Sequence, residues 1–179
     1  MKPKFKQLYM TIAETVASMS HARRLQVGSI VVKDDRVISI GYNGMPAGWD
    51  NACEDKEYMD PGAGGWLDPI EIEAQWPFEE EHKGDEESSE YIYTRRYALK
   101  TKPEVLHAES NAISKLAKSS ESGDGATIFI THAPCVDCAK LIYQSGINSV
   151  FYRNAYRSDD GIKFLEQSGL KVEQIERNN

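Results

Sequence analysis

Residues 126–152 read ATIFITHAPCVDCAKLIYQSGINSVFY, and this stretch decides the fold. The run Ala126–Thr131 predicts a strand, the segment from about Cys135 to Gln144 predicts a helix, and Ser149–Tyr152 predicts a second strand. Because a helix of this length between two strands implies a crossover connection, the two strands should pair in parallel. The sequence therefore predicts a β-α-β unit at this point.

Strands and helices continue to alternate on both sides of this unit. Downstream we expect a helix near Asp160–Gln167 and a last strand at Leu170–Ile175, and upstream a helix around Glu109–Lys118. Nearer the start, two β-branched runs flank the polar turn Lys33–Arg36 and predict an antiparallel hairpin. The hairpin strands are Val27–Lys33 and Val37–Tyr42.

The chain opens with an amphipathic helix that ends near Ser20. Its apolar stripe consists of Phe5, Leu8, Tyr9, Ile12, Val16 and Met19. Antiparallel and parallel strands together make a mixed sheet, and the intervening helices should cover both of its faces. We therefore predict an α/β fold, a three-layer αβα sandwich around a mixed five-stranded sheet.

A chain of 179 residues with 40% hydrophobic content is long enough for one domain with its own core. We expect a single domain over residues 1–179, with an acidic insertion at about 51–103. This segment contains the acidic runs Glu79–Glu81 and Gly84–Glu90 and shows no sustained period. We interpret it as a solvated loop or subunit contact, partly ordered through Trp66, Trp76 and Phe78, rather than as a second domain.

Composition narrows the possible partners. With 21 basic and 28 acidic residues the net charge is −7, which disfavours a polynucleotide substrate because such binding depends on neutralising phosphates. No stretch approaches the ~20 apolar residues that span a bilayer, and the start lacks the pattern of a signal sequence. We expect no membrane partner and a soluble, cytoplasmic protein. Three cysteines, two of them three positions apart, fit a metal site better than a disulfide framework.

Two short motifs carry the chemistry: His107-Ala108-Glu109 before one helix, and Pro134-Cys135-Val136-Asp137-Cys138 at the start of the next. One imidazole and two thiolates supply three zinc ligands, and three protein ligands leave a fourth position for water, as in catalytic zinc sites. The positive end of the helix dipole favours thiolates at Cys135 and Cys138. Glu109 is close enough in sequence to reach the water without being a ligand.

Each of these residues also has an ordinary explanation. A lone C-x-x-C could be a redox pair or half of a four-cysteine zinc site, but Cys53 is the only other cysteine, so that site cannot be completed. A redox role would leave His107 and Glu109 unexplained. Alone, His107 could be an ordinary polar histidine and Glu109 a solvated helix residue. The combination and its spacing favour the zinc site.

The pattern H-x-E…P-C-x-x-C is the signature of the zinc nucleobase deaminases. The chain further resembles the deoxycytidylate deaminases in Val27–Val32, in Gly41–Gly48 (GYNGMPAG) and in His107–Ile113 (HAESNAI). The resemblance extends from about Met10 to Leu170, apart from the acidic insertion. It implies the cytidine deaminase-like version of the fold predicted above.

The resemblance implies hydrolytic deamination of dCMP to dUMP and ammonia, which supplies dUMP for dTMP synthesis. A Zn²⁺ cofactor would lower the pKa of its water from ~16 toward ~7, and Glu109 would serve as both acid and base. Asn43 resembles the asparagine that hydrogen-bonds the sugar or base, although Asn-Gly is also a common turn pair. We expect Arg24, Tyr156 and Arg157 to bind the 5′-phosphate. They could instead be exposed loop residues, and Arg23 could replace Arg24.

The resemblance also implies regulation by nucleotides. The run that begins at Gly41, Tyr42, Asn43 and Gly44 looks like an effector-binding loop, and Lys118 like a basic residue linked to it. Deoxycytidine triphosphate would raise activity and deoxythymidine triphosphate would lower it, in a homo-oligomer, by resemblance a hexamer. The alternative for the glycine run is a tight turn.

Three alternative functions and one further metal site stay open. The substrate could be dCTP, or both dCTP and dCMP; the protein could edit a polynucleotide; or it could be a non-enzymatic zinc-binding module. Some phage members of the family carry a second, structural zinc. Only Cys53, His21 and His82 are available for such a site here, so we do not favour it, and Cys53 is otherwise a buried or free thiol.

Overall fold

The computed structural model describes residues 1–60, 68–83 and 92–177. The chain divides into two compact units. We call the first the core unit, Met1–Cys53 with Glu104–Asn179, and the second the inserted unit, Glu54–Pro103. Where the sequence predicts a single domain with an insertion at about 51–103, the structure therefore has two units with nearly that boundary.

The core unit contains four helices and five strands among its described residues. In chain order they are α1 (Pro3–Ala17), β1 (Gly28–Lys33), β2 (Arg36–Tyr42), α3 (Ala108–Leu116), β6 (Thr127–His132), α4 (Val136–Gln144), β7 (Ser149–Asn154), α5 (Asp160–Gln167) and β8 (Lys171–Gln174). The other helix and strands of the chain belong to the inserted unit, whose residues lie between β2 and α3 in the sequence.

The five strands form one sheet in the order β2-β1-β6-β7-β8. Strand β1 runs antiparallel to β2 and to β6, whereas β6, β7 and β8 are parallel. At the hairpin, Asp34 and Asp35 both have positive φ, the conformation that a two-residue turn between twisted strands requires. The mixed five-stranded sheet predicted from the sequence is confirmed.

Apolar side chains cover both faces of this sheet. On one face α1 packs against alternate strand residues, and the buried members of that cluster are Tyr9, Met10, Ala13, Val16, Ile30, Val32, Phe129, Phe151 and Ile175. On the other face lie α3, α4 and α5, whose cluster includes Val31, Ala112, Leu116, Ile128, Ile130, Ala139, Ile142, Val150 and Leu165. The three-layer αβα arrangement is therefore confirmed.

Element ends differ from the prediction by a few residues. Helix α1 ends at Ala17 rather than near Ser20, and α3 ends at Leu116 rather than Lys118. Beyond both ends the backbone N–H groups bond three residues back, as in the bonds from Ser20 to Ala17 and from Ser119 to Leu116. Such tight final turns are common at helix ends and carry no periodic signal.

The inserted unit contains β3 (Glu54–Tyr58), α2 (Pro69–Gln75), β4 (Phe78–Lys83) and β5 (Ile92–Thr101), with strands in the order β3-β5-β4. Helix α2 begins at a capping box in which Asp68 and Glu71 satisfy each other's backbone N–H groups. The sequence interpretation of a loop is thus corrected for the described residues. Trp66 and the acidic run Gly84–Glu90 lie outside them.

The pattern of the inserted sheet explains why it was missed. Strand β4 carries three successive glutamates, which are unusual in strands. They are accommodated because positive charges lie within reach on the other two strands: Glu79 pairs with Arg96 on the adjacent β5, and Glu80 pairs with Lys56 on β3, beyond β5. Such pairing depends on register and cannot be read from one strand alone.

No helix within residues 1–60, 68–83 and 92–177 is long and apolar enough to cross a bilayer.

Candidate zinc and catalytic site

The site begins where α3 leaves the preceding loop. His107 is the N-cap residue of α3 and has an extended backbone, with φ −72° and ψ 154°. Two residues later Glu109 lies in the first turn, where a helix favours negative charge. The helix approaches β2 closely at this point, because a Cβ on Gly41 would lie 2.1 Å from the Ala108 carbonyl oxygen. The backbone contact fixes the turn that carries both residues.

The second part of the site comes from the β-α-β unit. Strand β6 leads through Pro134 to Cys135, which is the N-cap residue of α4, and Cys138 lies in the first turn. The Ala139 N–H donates to the Cys135 carbonyl oxygen at 2.9 Å, which closes that turn. Both thiols therefore lie at the start of α4.

The three donor atoms converge. His107 Nδ1 lies 3.6 Å from Cys135 Sγ and 3.4 Å from Cys138 Sγ, and all three donors lie within 4.8 Å of one another. Tetrahedral zinc with ordinary bond lengths separates its nitrogen and sulfur ligands by about 3.6 Å. The residues present thus fit a zinc ion, and among the described residues they are the cluster that could hold one.

Glu109 lies beside these donors and is buried, with only 4% of its surface exposed. Burial raises the pKa of its carboxyl to about 7, against a partial opposing effect of its own backbone N–H and of His107. The carboxyl is also within hydrogen-bonding reach of the Cys138 thiol. A carboxyl with a pKa near neutrality can both accept and release a proton.

The donor atoms influence one another's ionisation. Hydrogen bonds from the Cys138 thiol and from His107 lower the pKa of Cys135 to about 4. The same hydrogen bond to Cys135 is the main cause that raises the pKa of His107. Cys135 is therefore readily available as a thiolate, the form in which cysteine binds metals.

The sheet brings the predicted substrate-binding residues to the same edge, the end where β2, β6 and β7 finish. Gly28 pairs with Tyr42, the Gly28 N–H donates to Thr131 Oγ1, and His132 pairs with Asn154 in the parallel β6–β7 ladder. The start of β1 and the ends of β2, β6 and β7 consequently share one edge. Arg24 precedes β1, Asn43 follows β2, Cys135 follows β6, and Tyr156 and Arg157 follow β7.

The three residues expected to bind phosphate are exposed at that edge. Arg24 and Arg157 are exposed, and Tyr156 is moderately so. The Arg157 guanidinium carbon lies 6.0 Å from the centre of the Tyr156 ring. Their exposure leaves these side chains accessible to an anion.

The side-chain amide of Asn43 forms hydrogen bonds with backbone groups. Its Oδ1 accepts from the Val27 N–H and its Nδ2 donates to the Leu25 carbonyl oxygen, both at 2.8 Å. Ser20 Oγ donates to the Asn43 carbonyl oxygen at 2.7 Å. An amide can make further bonds with its second N–H and lone pair. The structure therefore gives Asn43 a role that the sequence did not suggest, which is to fix the loop that follows Arg24.

The residues expected to form an effector loop serve in part to pack the core unit. Gly41 is needed for the approach of α3, and Gly44 forms an antiparallel bridge with Leu106. The basic side chain that meets this strand is Lys115, whose Nζ donates to the Ile40 carbonyl oxygen and lies 5.6 Å from the Tyr42 ring centre. Lys118 lies past the end of α3, about 16 Å along the helix axis from His107 at the rise of an α-helix.

Sequence reasoning missed two polar residues at this edge. His132 ends β6, and its ring lies 3.2 Å from Thr131 Oγ1 and 3.5 Å from Asn154 Nδ2. Burial lowers the pKa of His132, which favours the neutral ring. The signal available in the sequence was position alone: both His132 and Asn154 end strands at the edge that carries the cysteines.

A scan against protein-family models matches residues 3–154 to the cytidine and deoxycytidylate deaminase zinc-binding region. The chain belongs to this family. The family resemblance stated from the sequence is confirmed. As a cytidine and deoxycytidylate deaminase family member the protein is a hydrolytic deaminase, and Zn²⁺ is its metal.

Individual relatives cover nearly the whole chain. The deoxycytidylate deaminase of Enterobacteria phage T4 is 33% identical over 186 residues, which span 95% of this chain and 89% of the relative. The ComE operon protein 2 of Bacillus subtilis is 31% identical over 171 residues, 95% of this chain and 70% of the relative. These two family members therefore match both units of the chain.

A solved structure also matches nearly the whole chain. The dCMP deaminase from cyanophage S-TIM5, in complex with dCMP and dUMP, matches with a TM-score of 0.71 and 39% identity. The match covers 98% of this chain and 99% of that protein. The deaminase fold is thus shared over the whole length.

Cys53 is not part of the three-donor cluster. It is buried with 1% of its surface exposed, in a small cluster with Ala22 and Val105, and its thiol lies 3.5 Å from the Asn51 carbonyl oxygen. This agrees with the buried thiol that the sequence allowed.

Proposed function

We propose that this protein converts dCMP and water into dUMP and ammonia. The observation that carries the proposal is a buried carboxyl with a pKa of about 7, Glu109, next to three convergent zinc donors. The choice of substrate is supported by the cyanophage relative, whose structure contains dCMP and dUMP and which is 39% identical over nearly the whole chain. The phage T4 relative has the same named activity.

His107, Cys135 and Cys138 would hold the zinc ion. When bound, zinc lowers the pKa of a water in its open fourth position toward ~7 and so supplies hydroxide near neutral pH. The helix ends fix these ligands, since His107 and Cys135 are the N-cap residues of α3 and α4. Rigid placement of this kind favours a single coordination geometry.

Glu109 moves the protons. It accepts one from the attacking water and delivers it to ring N3 of cytosine, which makes C4 electrophilic. After hydroxide has added to C4, the same carboxyl takes the proton of the new C4 hydroxyl and passes it to the amino group. The amino group departs as ammonia and leaves the C4 carbonyl of uracil, so that one residue acts as base and as acid in each transfer. Its burial at 4% exposure keeps bulk water from taking over this exchange.

The 5′-phosphate would be bound by Arg24, Tyr156 and Arg157. Arg24 precedes β1, and Tyr156 and Arg157 follow β7, at the same end of the sheet as Cys135. The guanidinium group of arginine presents paired N–H donors that match two phosphate oxygens. Charge-assisted bonds of this type contribute about 1.5–3 kcal/mol each. Asn43 would act by holding the loop after Arg24 in addition to any contact with the nucleotide.

Regulation by dCTP and dTTP in a homo-oligomer, by resemblance a hexamer, is the finer part of this proposal. It is supported by the GYNGMPAG run, in which Gly48 has no atom within 4 Å of the place of a Cβ and Gly44 none closer than 3.9 Å. Open backbone of this kind can present amide groups to a ligand. The expected kinetics are sigmoidal in dCMP and hyperbolic after addition of dCTP. Hyperbolic kinetics that neither triphosphate changes would leave the run as a turn.

Ammonia release from a panel of nucleotides tests the proposal. The panel contains dCMP, dCTP, deoxycytidine, CMP and dAMP, each with the zinc-loaded protein. We expect dCMP to give the highest kcat/KM and deoxycytidine to lose at least tenfold for lack of a phosphate. Preference for dCTP would favour the alternative substrate, and equal turnover of deoxycytidine would contradict the phosphate assignment.

A further inference from the structure

Two serine hydroxyls hold successive turns of α3 on the sheet. Ser29 Oγ donates to the Ala108 carbonyl oxygen at 2.8 Å, and Ser39 Oγ donates to the Ala112 carbonyl oxygen at 2.7 Å. Both serines are buried, with 0% and 9% of their surface exposed. Since Ser29 lies on β1 and Ser39 on β2, each strand of the hairpin holds one turn.

The two bonds differ in their distance from the chemistry. Ala108 lies between His107 and Glu109 in the chain, whereas Ala112 lies one helical turn further on. Ser29 faces Gly41 across the hairpin, and a Cβ on Gly41 would lie 2.1 Å from the Ala108 carbonyl oxygen. The Ala108 carbonyl is therefore enclosed between a hydroxyl donor and a glycine backbone.

The helix itself does not need the bond from Ser29. In an α-helix the carbonyl oxygen of residue 108 accepts the N–H of residue 112, which satisfies the backbone. The hydroxyl uses the second lone pair of that oxygen. Its effect is therefore on where the first turn lies relative to the sheet, and the β6–α4 segment with the two cysteines belongs to the same sheet.

We propose that Ser29 is a positioning residue that sets the Glu109 and His107 side chains relative to Cys135 and Cys138. The kinetic part of this inference rests on the proposed function, because it requires Glu109 to be the proton carrier. Small displacements of a reacting group reduce rates steeply, by as much as about 100-fold for 1 Å. Ser39, which makes the same bond one turn away, should lack this effect.

Ser29→Ala and Ser39→Ala form a matched pair. Each removes one buried hydroxyl bonded to a carbonyl of α3, so we expect both thermal midpoints to fall by a similar few degrees. We expect Ser29→Ala to lower kcat for dCMP about tenfold with KM changed less than twofold, and Ser39→Ala to leave kcat within twofold. A purely structural role would give the two variants the same kcat, whether lowered or unchanged, and this result would overturn the proposal.

A second readout does not depend on dCMP. With Co²⁺ as the metal probe, we expect Ser29→Ala to shift the visible absorption bands and to raise the Co²⁺ dissociation constant several-fold, with Ser39→Ala like the parent protein. If the parent protein failed to deaminate dCMP, the proposed function would be wrong and this comparison would decide the positioning role. Identical spectra and dissociation constants for the two variants would contradict it.

Discussion

The two sheets of this protein are stabilised in different ways. Strand β1 of the core unit is buried at five successive positions between helix layers, whereas β3 of the inserted unit has a buried side chain at none of its five. The core sheet depends on apolar packing against helices, and the inserted sheet on cross-strand charge pairs and aromatic contacts such as Tyr58 with Tyr97. Substitutions, salt and pH should therefore change the stability of the two sheets differently.

One glutamate in each unit makes the contrast concrete. Burial raises the pKa of Glu109 in the core unit to about 7. Hydrogen bonds from Lys56 and Tyr58 lower the pKa of Glu80 in the inserted unit to about 2. The first carboxyl is held ready to exchange a proton, and the second is fixed as an anion. Catalytic chemistry is thus expected of the buried site and not of the charge network.

The largest expected effect is the loss of the metal. Cys135→Ala removes one of three zinc donors, so we expect zinc to be lost and turnover to fall more than about 10³-fold. Asp137→Asn is the matched control, because that residue lies between the two cysteines with 84% of its side chain exposed. Metal analysis and dUMP formation check both. Full zinc content in Cys135→Ala would show that Cys135 is not a zinc ligand.

Aromatic truncation in each sheet tests whether the units respond separately. Phe129 lies 5.0 Å from Phe151 by ring centres, and Tyr97 lies 5.4 Å from Phe78. We expect Phe129→Ala and Tyr97→Ala each to cost about 3–5 kcal/mol locally. Hydrogen exchange by mass spectrometry should show lost protection in the core sheet for the first and in the inserted sheet for the second. Loss of zinc in Tyr97→Ala would contradict this separation.

The pH dependence of the inserted sheet follows from Glu80. Its folded pKa of about 2 lies below the ordinary 4.5, so its stabilisation is fully present above pH 4.5 and is lost as the pH falls toward 2. The difference in thermal midpoint between the parent and Glu80→Gln should therefore be present at pH 6 and shrink toward pH 3. Glu81→Gln, on the opposite face of β4, serves as control. A difference that grows on acidification would have the wrong sign.

The smallest effect is expected from an exposed charge pair. Lys100 Nζ lies 3.9 Å from Glu57 Oε1, and both side chains are more than half exposed. Lys100→Ala should change the free energy of unfolding by about 0.5 kcal/mol or less, since water and salt screen such pairs. Chemical denaturation measures this directly. A change above about 1 kcal/mol would mean that single exposed pairs, and not the network around Glu80, stabilise the sheet.

The core unit could be predicted because each element has a local signal. The hairpin has β-branched runs around Asp34 and Asp35, and the β-α-β unit has apolar runs of strand and helix length. The convergence of His107 with Cys135 and Cys138 follows from two helix starts at one edge of that sheet. These features need no knowledge of distant contacts.

The rest depends on contacts between residues distant in sequence. The inserted sheet forms through pairs such as Glu79 with Arg96, which only the register brings together. The bonds from the Asn43 amide to the loop before β1 could not be read from its position after β2, and its contact with the nucleotide stays a prediction. The contact of Lys115 with the Tyr42 ring likewise depends on how α3 packs against β2, and the effector role of Lys118 stays a prediction.

The most direct measurement is zinc content and dUMP formation in one preparation of Glu109→Gln, beside the parent protein and the exposed control Glu104→Gln. Glutamine keeps the shape of the side chain and cannot accept the proton, while the three zinc donors are untouched. If Glu109 carries the proton, we expect one zinc per chain in all three proteins and a loss of dCMP turnover of at least about 10³-fold in Glu109→Gln alone. Near-normal turnover in zinc-loaded Glu109→Gln would contradict it.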